Sequence, residues 1–558
     1  MKTADNLSEE SVVIKPGLEF KEKISYTKYI LSAIILIGIA LRLIGISWGL
    51  PVILHPDEPF ITEPAFNLAK DHSFEPRIYG RPDHITIKTN SLIFLVANKL
   101  FFGMSRGTSI PENFNDHIKL FYTAARLFTA LLGSLSVFLV FLIIKYFNIK
   151  IALIASFLFA VFPAFIIHSH YITPEIVQTF FMLCVAYFSV RYFENAKFLY
   201  IILMSVSAAV AFVEKYPAVY SCLIIACTII VVHCKNKNVL VLRGAGAIIT
   251  FLLSIFILSP VLVVDYKNVI RAVTFEARPY HLGADGLGFF GNLLFYFKTY
   301  LSYSQICLFC FSFIGIYFCI KNYGKKALPL ITGIFYIVMM SVLKIHWERW
   351  GVPFYAFMLL PASFGIYHII MIVGFFMKKI KYKKLYLVGV YTVLLGLPFL
   401  NLCLSGIIRT AAFVAKDTRV VSMQYCSDNG ISQENALAEG YTPFYPNGSG
   451  TIFHSDNFYQ EKNIKYIILS SSMYDRFYAE PERYRNEIDF YEDIKEKCHI
   501  YKIFEPVKIK NSFFEIMNIK NSLVSLYNYA KGGNSGPTLA VYAKSPQNSA
   551  ADFSIPVF

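Results

Sequence analysis

Long apolar runs separated by short polar connections recur along the chain, at 29–50, 120–147, 151–168, 176–190, 198–213, 216–232, 245–264, 293–320, 328–343, 352–377 and 385–408. A membrane-crossing helix needs about 17 to 25 predominantly apolar residues, so the pattern predicts about eleven transmembrane helices. The first run exceeds the roughly 7 to 15 residues of a signal-peptide core, and no small-residue cleavage pattern follows it, which predicts a retained helix. The stretch 92–102 is too short to span and reads as an interfacial or re-entrant helix. It lies inside a long external loop, 51–119, and a second sizeable loop covers 265–292. Past residue 408 the pattern turns polar and mixed. There 463–470 reads as a buried strand, 482–497 as a helix, and 501–504 and 538–542 as further strands. The predicted fold is therefore an α-helical polytopic membrane protein with a C-terminal extracytoplasmic α/β domain. Its parts are a cytoplasmic tail (1–28), a transmembrane body (29–408) and the α/β domain (409–558).

Composition agrees: of 558 residues 56% are hydrophobic and only 16% charged, against about 25% charged in soluble domains. The net charge of +15 does not point to nucleic acid, because the Lys and Arg are not gathered into one face or tail. They recur instead in alternate connections: Lys145 and Lys150; Arg191 and Lys197; Lys235, Lys237 and Arg243; Lys321, Lys325 and Lys326; and Lys378, Lys379, Lys381, Lys383 and Lys384. The positive-inside rule makes these loops cytoplasmic. The opposite loops then hold Asp57, Glu58, Glu175, Glu214, Asp265, Glu276 and Glu348, and form a working face outside a multi-pass plasma-membrane protein. Most of the ten cysteines lie in apolar helices, where a thiol is a small hydrophobe. Cys426 and Cys498 alone are placed to pair.

The most informative site is His55-Pro56-Asp57-Glu58-Pro59, two acids at the mouth of the first helix, flanked by prolines that stiffen the loop. Charge next to hydrocarbon is expensive and marks chemistry. Such a pair can take a proton from an acceptor, bind a cation, or cap the next helix. Arg77, Arg81, His84 and Lys88 follow in the same loop, cations suited to an anionic head group. His168 and His170, two apart, diverge on a helix, and no metal is expected. Trp347 and Trp350 read as interface-belt aromatics.

These segments carry a resemblance. His55-Pro56-Asp57-Glu58 after the first helix resembles the acidic motif of the GT-C glycosyltransferases that use lipid-linked sugars, the superfamily of protein O-mannosyltransferases and bacterial aminoarabinose transferases. Ala124-Ala125-Arg126-Leu127 is similar to their Ala-Ala-Arg-Leu pattern, and Glu214-Lys215-Tyr216-Pro217 to a recurrent Thr-Lys-Tyr-Pro. Glu175 stands where many members have aspartate, and 346–353 resembles their Arg-Tyr-x-x-Pro region, with Trp350 in place of tyrosine. The ordered series spans 29–377. The resemblance implies a polyprenyl-phosphate sugar as donor and co-substrate, no cofactor, and inverting transfer of a hexose or pentose to a protein, lipid or cell-envelope glycan. It implies Asp57 as general base with Glu58 orienting it, and Lys88, Arg126 and Arg349 as phosphate-binding groups. Glu175, Lys215, Glu276 and His346 would position acceptor or sugar.

Two other classes compete. A flippase of lipid-linked saccharides would also need many helices, but transporters place coupling acids near the bilayer midplane, whereas here Arg42 is the charge nearest a helix centre. A noncatalytic polymer-binding protein would tolerate replacement of Asp57.

Overall fold

The computed structural model describes residues 23–103, 110–377, 389–445 and 463–544. The tail before residue 23 and the basic connection 378–384 lie outside the described residues. Each apolar run, wherever it is described, is mainly helical, except that the first ends its helix at Leu43 and continues to residue 50 as turns. Helix α1 (Lys23–Leu43) leads into the first loop, which contains α2 (Pro59–Lys70), α3 (His84–Phe102) and α4 (Ile110–Asp116). Then follow α5 (Ile118–Ile144), α6 (Ile149–Val161), α7 (Pro163–Ser169), α8 (Pro174–Asn195), α9 (Phe198–Glu214), α10 (Ser221–His233) and α11 (Lys237–Leu258). The second loop carries α12 (Val261–Val264) and α13 (Tyr266–Glu276). The body closes with α14 (Gly288–Tyr323), α15 (Leu328–Thr332), α16 (Tyr336–Val342), α17 (Val352–Met377) and α18 (Leu397–Val414). Among the described residues, nine helices are long and apolar enough to cross a membrane, or ten with α6 and α7 as one bent span.

Helices α5, α8 and α17 form the centre of the bundle, while α11 turns Val241, Leu242, Ile248, Ile249, Leu252 and Leu253 outward. Apolar residues on an outer face are what a lipid-facing helix requires. Close approach of α14 and α17 depends on Gly315 and Gly365, where a Cβ would overlap the carbonyls of Pro361 and Phe311.

Two helices are broken. Pro163 has no N–H to give the carbonyl of Phe159, and α6 and α7 meet at 53°. Arg42, fully buried on α1, fills the gap: its Nη2 donates to Phe159 O at 2.9 Å and its Nη1 to Ala160 O at 3.0 Å. Helix α14 is interrupted at Gln305, whose φ of 52° is not helical.

Helix α3 is 19 residues long, where the apolar pattern predicts eleven. Its first two turns are polar, but His84, Thr86, Asn90 and Ser91 face the protein and are buried. The whole helix is nonetheless one of the nine long and apolar enough to cross a membrane, which corrects the reading of 92–102 as too short to span.

The C-terminal α/β domain contains α19 (Thr418–Asp428), α20 (Ser471–Tyr478), α21 (Arg485–Lys497) and α22 (Glu515–Ala530) with four strands. These are β1 (Ala436–Ala438), β2 (Tyr466–Ser470), β3 (Cys498–Phe504) and β4 (Leu539–Lys544), in the order β1-β2-β4-β3. Strand β1 runs parallel to β2, and β4 is antiparallel to both neighbours, with Ile468 opposite Val541. Cys426 packs with Ile468 and Val541, whereas Cys498 packs with Ile467, Leu469 and Tyr491. Alternate residues of a strand face opposite sides of the sheet, so the two thiols are kept apart, and both are free.

Candidate active site

The chain turns sharply after α1, buries Leu54, and presents Asp57 and Glu58 just before the proline that opens α2. Neither acid caps that helix: Glu58 occupies the N-cap position without a side-chain cap bond. The two carboxylates instead point into different surroundings.

Glu58 is fully buried against fully buried Arg126 on α5. The pair is bidentate, Nε to Oε1 at 2.8 Å and Nη2 to Oε2 at 2.7 Å, and Ile172 N–H donates to Oε1 at 3.1 Å. Arg126 Nη1 donates to the carbonyls of Ile46 and Trp48 at 3.0 and 2.8 Å. A guanidinium has five N–H donors, and four are spent on the protein here. The expectation that Arg126 binds a donor phosphate is thereby corrected, and so is a catalytic role for Glu58. Together they fasten the turn after α1 to α5.

Asp57 is held between two arginines. Arg81 Nη1 donates to its Oδ1 at 2.9 Å, and Arg349, from the turn before α17, bonds its Oδ2. The Asp57 side chain is 9% exposed, against 33% for Arg81 and 23% for Arg349. Access to the carboxylate therefore runs past its cations. The chain of charges continues in both directions. Arg349 Nε lies 3.8 Å from Glu175 Oε1, which also accepts from Lys215 Nζ at 2.8 Å. Arg81 Nη2 lies 3.8 Å from Asp83 Oδ2. Six side chains thus alternate in sign, Asp83–Arg81–Asp57–Arg349–Glu175–Lys215, drawn from the first loop and the ends of α8, α9 and α17. Trp347 and Trp350 back it, with Arg349 over one ring at 5.5 Å and Lys215 over the other at 5.6 Å.

Burial pushes the Asp83 carboxyl up to about 6, with Arg81 and Lys215 drawing it down and Glu175 and Glu276 adding to the rise. His55 is held neutral by burial, its value lowered to about 3. Its Nδ1 accepts the Asp57 N–H at 3.2 Å and its ring lies 4.1 Å from that of Tyr171. Glu175 Oε2, His168 Nδ1 and Thr173 Oγ1 are buried without a hydrogen-bond partner, an unmet polar demand beside the charges.

Other expected residues lie elsewhere. Lys88 Nζ is held by Glu75 Oε1 and Leu258 O, both at 2.8 Å, which ties α3 to the end of α11 and takes it out of the charge chain. His346 donates its backbone N–H to Ala284 O and rests its ring on Phe295, so it organises the second loop and does not reach Asp57. Glu276 is half-buried against Gly80 at the rim near Asp83. Arg81, noted only as one of several loop cations, and Asp83 are the members that sequence reasoning missed. Asp83 has a left-handed backbone (φ 46°) before α3, and its N–H donates to Glu214 O. Among the described residues no group of three or more His, Cys, Asp or Glu is arranged to hold a metal.

The C-terminal domain holds both loops. Arg419, paired with Asp417, donates from Nη1 to Leu54 O at 2.9 Å, three residues before Asp57. Arg483 pairs with Asp285 of the second loop at 2.5 Å.

The family model described as dolichyl-phosphate-mannose-protein mannosyltransferase matches residues 105–276, which include Arg126, Glu175 and Lys215. No curated protein sequence matches the chain. Among solved structures, archaeal oligosaccharyltransferase AglB from Archaeoglobus fulgidus, in complex with an inhibitory peptide and a dolichol-phosphate, is similar at 12% identity and TM-score 0.50. The match covers 88% of this chain and 75% of that one. The Archaeoglobus fulgidus oligosaccharyltransferase tethered with an acceptor peptide matches at 11% identity and TM-score 0.50, over 89% and 74%. ArnT from Cupriavidus metallidurans in the apo state matches at 11% identity and TM-score 0.48, over 94% and 100%. The fold is that of the GT-C glycosyltransferases.

Proposed function

We propose that this GT-C chain transfers a sugar from a polyprenyl-phosphate donor to a protein, lipid or cell-envelope glycan, on the extracytoplasmic face of a bacterial plasma membrane. The observation that carries the proposal is Asp57, nearly buried between two arginines that are more exposed than it is. A phosphate entering from the lipid side meets Arg349 and Arg81 first and competes with Asp57 for their N–H groups. Each N–H surrendered uncovers a carboxylate oxygen. Asp57 then takes the proton of the acceptor hydroxyl or amine as that atom bonds to the anomeric carbon. The carbon–oxygen bond to phosphate breaks, its electron pair stays on the phosphate, and configuration inverts. The arginines neutralise the leaving group, and Glu175 holds Lys215 beside them.

The donor supplies its own leaving group, so the chemistry requires no cofactor. A flippase reading would need a mobile charge at mid-membrane, whereas Arg42 lies in the last turn of α1 and is spent on the carbonyls at the α6–α7 break.

The test is binding of a sugar-free polyprenyl phosphate to detergent-purified protein by native mass spectrometry. Arg349→Ala and Arg81→Ala should each weaken binding about tenfold or more, whereas Arg126→Lys, if folded, should bind like the wild type. Unchanged binding in both alanine variants would remove the arginines from the phosphate site.

A further inference from the structure

Helix α22 has its polarity reversed. Its buried residues are Asn518, Ser522 and Ser525, one polar stripe at helical spacing, while Phe514, Ile516, Met517, Leu523, Val524 and Tyr527 are each more than half exposed. A helix of a water-soluble domain buries its apolar stripe and exposes its polar one. The opposite arrangement is stable only where the surroundings are hydrocarbon.

Its docking site is the membrane body. Asn518 Nδ2 donates to Asn401 Oδ1 at 2.7 Å and lies 3.2 Å from Ser405 Oγ, and Asn401 in turn donates to Gln305 Oε1 at 3.0 Å. Asn401 lies at the middle of the 389–414 span, and Gln305 at the point where α14 folds back on itself, so that Tyr300 Oη meets Ser312 Oγ at 2.7 Å. At about 1.5 Å per residue, the middle of the 389–414 span lies roughly 20 Å from its ends, well inside a bilayer that the span crosses.

The break in α14 supplies a second contact. Backbone N–H groups freed inside a membrane must find partners in protein. Ile306 N–H donates to Phe513 O at 3.1 Å and Cys307 N–H to Glu515 Oε1 at 2.7 Å, so the segment leading into α22 caps the second half of α14. The exposed face of α22 adjoins helices whose own outward residues are apolar, Ile306 and Phe313 on α14 and Leu400 and Ile407 on α18. Lys520 shares that face, and its four-carbon stem can lift the ammonium toward phospholipid headgroups.

We propose that the hairpin 509–530 is a membrane-immersed segment of the C-terminal domain, and that phospholipid acyl chains cover its apolar face. The domain is then anchored in the bilayer as well as seated on the loops, which ties it to the α14 break two residues from Tyr303. Tyr303 hydrogen-bonds Glu348, the neighbour of Arg349.

The test places p-benzoylphenylalanine singly at Phe514, Leu523 and Tyr527, all exposed, in the full chain reconstituted into phosphatidylcholine–phosphatidylglycerol vesicles. Glu434, exposed elsewhere in the domain, is the control. Irradiation and mass spectrometry should find phospholipid adducts at the three α22 positions and none at Glu434. Adduct levels at α22 no higher than at Glu434, or cross-links to a second copy of the chain in place of lipid, would overturn the proposal.

Discussion

Adjacent acids with the same flanking prolines have opposite parts here. Glu58 is locked on Arg126 with no exposure at either side chain, whereas Asp57 sits under cations that are partly exposed to solvent. Removing one partner of a buried pair strands the other charge and costs about 3–5 kcal/mol. Glu58→Ala and Arg126→Ala should therefore lower the thermal midpoint sharply in a detergent unfolding assay, while Asp57→Asn leaves it near the wild-type value. The sequence exposes the two carboxylates and Arg126 as noteworthy but not their division of labour, because Arg126 finds Glu58 across 68 residues. Asp83 went unnoticed since its significance rests on a fold that sets it beside Arg81 and Lys215. In the C-terminal domain, buried Glu439 accepts from Ser470 N–H at 2.5 Å and Tyr491 O–H at 2.8 Å, and burial raises its value from 4.5 to about 8. The folded chain then keeps a proton that the unfolded chain loses, so stability falls as pH rises from about 4.5 to about 8. Glu439→Gln should flatten that part of the midpoint-against-pH curve; an unaltered curve would place the titration elsewhere.

At the scale of elements, the apolar pattern locates the helices because lipid-facing and core-facing residues are alike apolar. It cannot reveal breaks or polar stripes, which depend on what lies opposite. The unbroken apolar run of α3 begins only at Leu92, because Lys88, Thr89, Asn90 and Ser91 interrupt it, although the whole helix is apolar enough to cross a membrane. The polar stripe of α22 conceals its contact with α18. The α6–α7 break was hidden too, although Pro163 marked it, since the repair comes from Arg42 on another helix. A charge-assisted hydrogen bond contributes about 1.5–3 kcal/mol. Arg42→Met should destabilise the wild type by about that amount and a Pro163→Ala background by less, because alanine restores the N–H that Phe159 lacks. Equal losses in both backgrounds, measured by denaturant unfolding, would show that Arg42 does not serve the break.

For the whole molecule, the loop-rich end of the bundle gathers acids and cations from segments far apart in the chain, and the C-terminal domain clamps both loops through Arg419 and Arg483. Sequence order alone could put these groups on one side of the membrane. It could not put Arg349 on Asp57, because that contact spans 292 residues. The account stands on Asp57 as the proton acceptor of a transfer from lipid-linked sugar. Mass spectrometry of lipid extracts and envelope glycans, from cells whose chain carries Asp57→Asn at wild-type abundance, tests this most directly. A polyprenyl-phosphate sugar should accumulate while one glycan loses the corresponding residue. A glycan built at the normal level, with no accumulated donor, would contradict it.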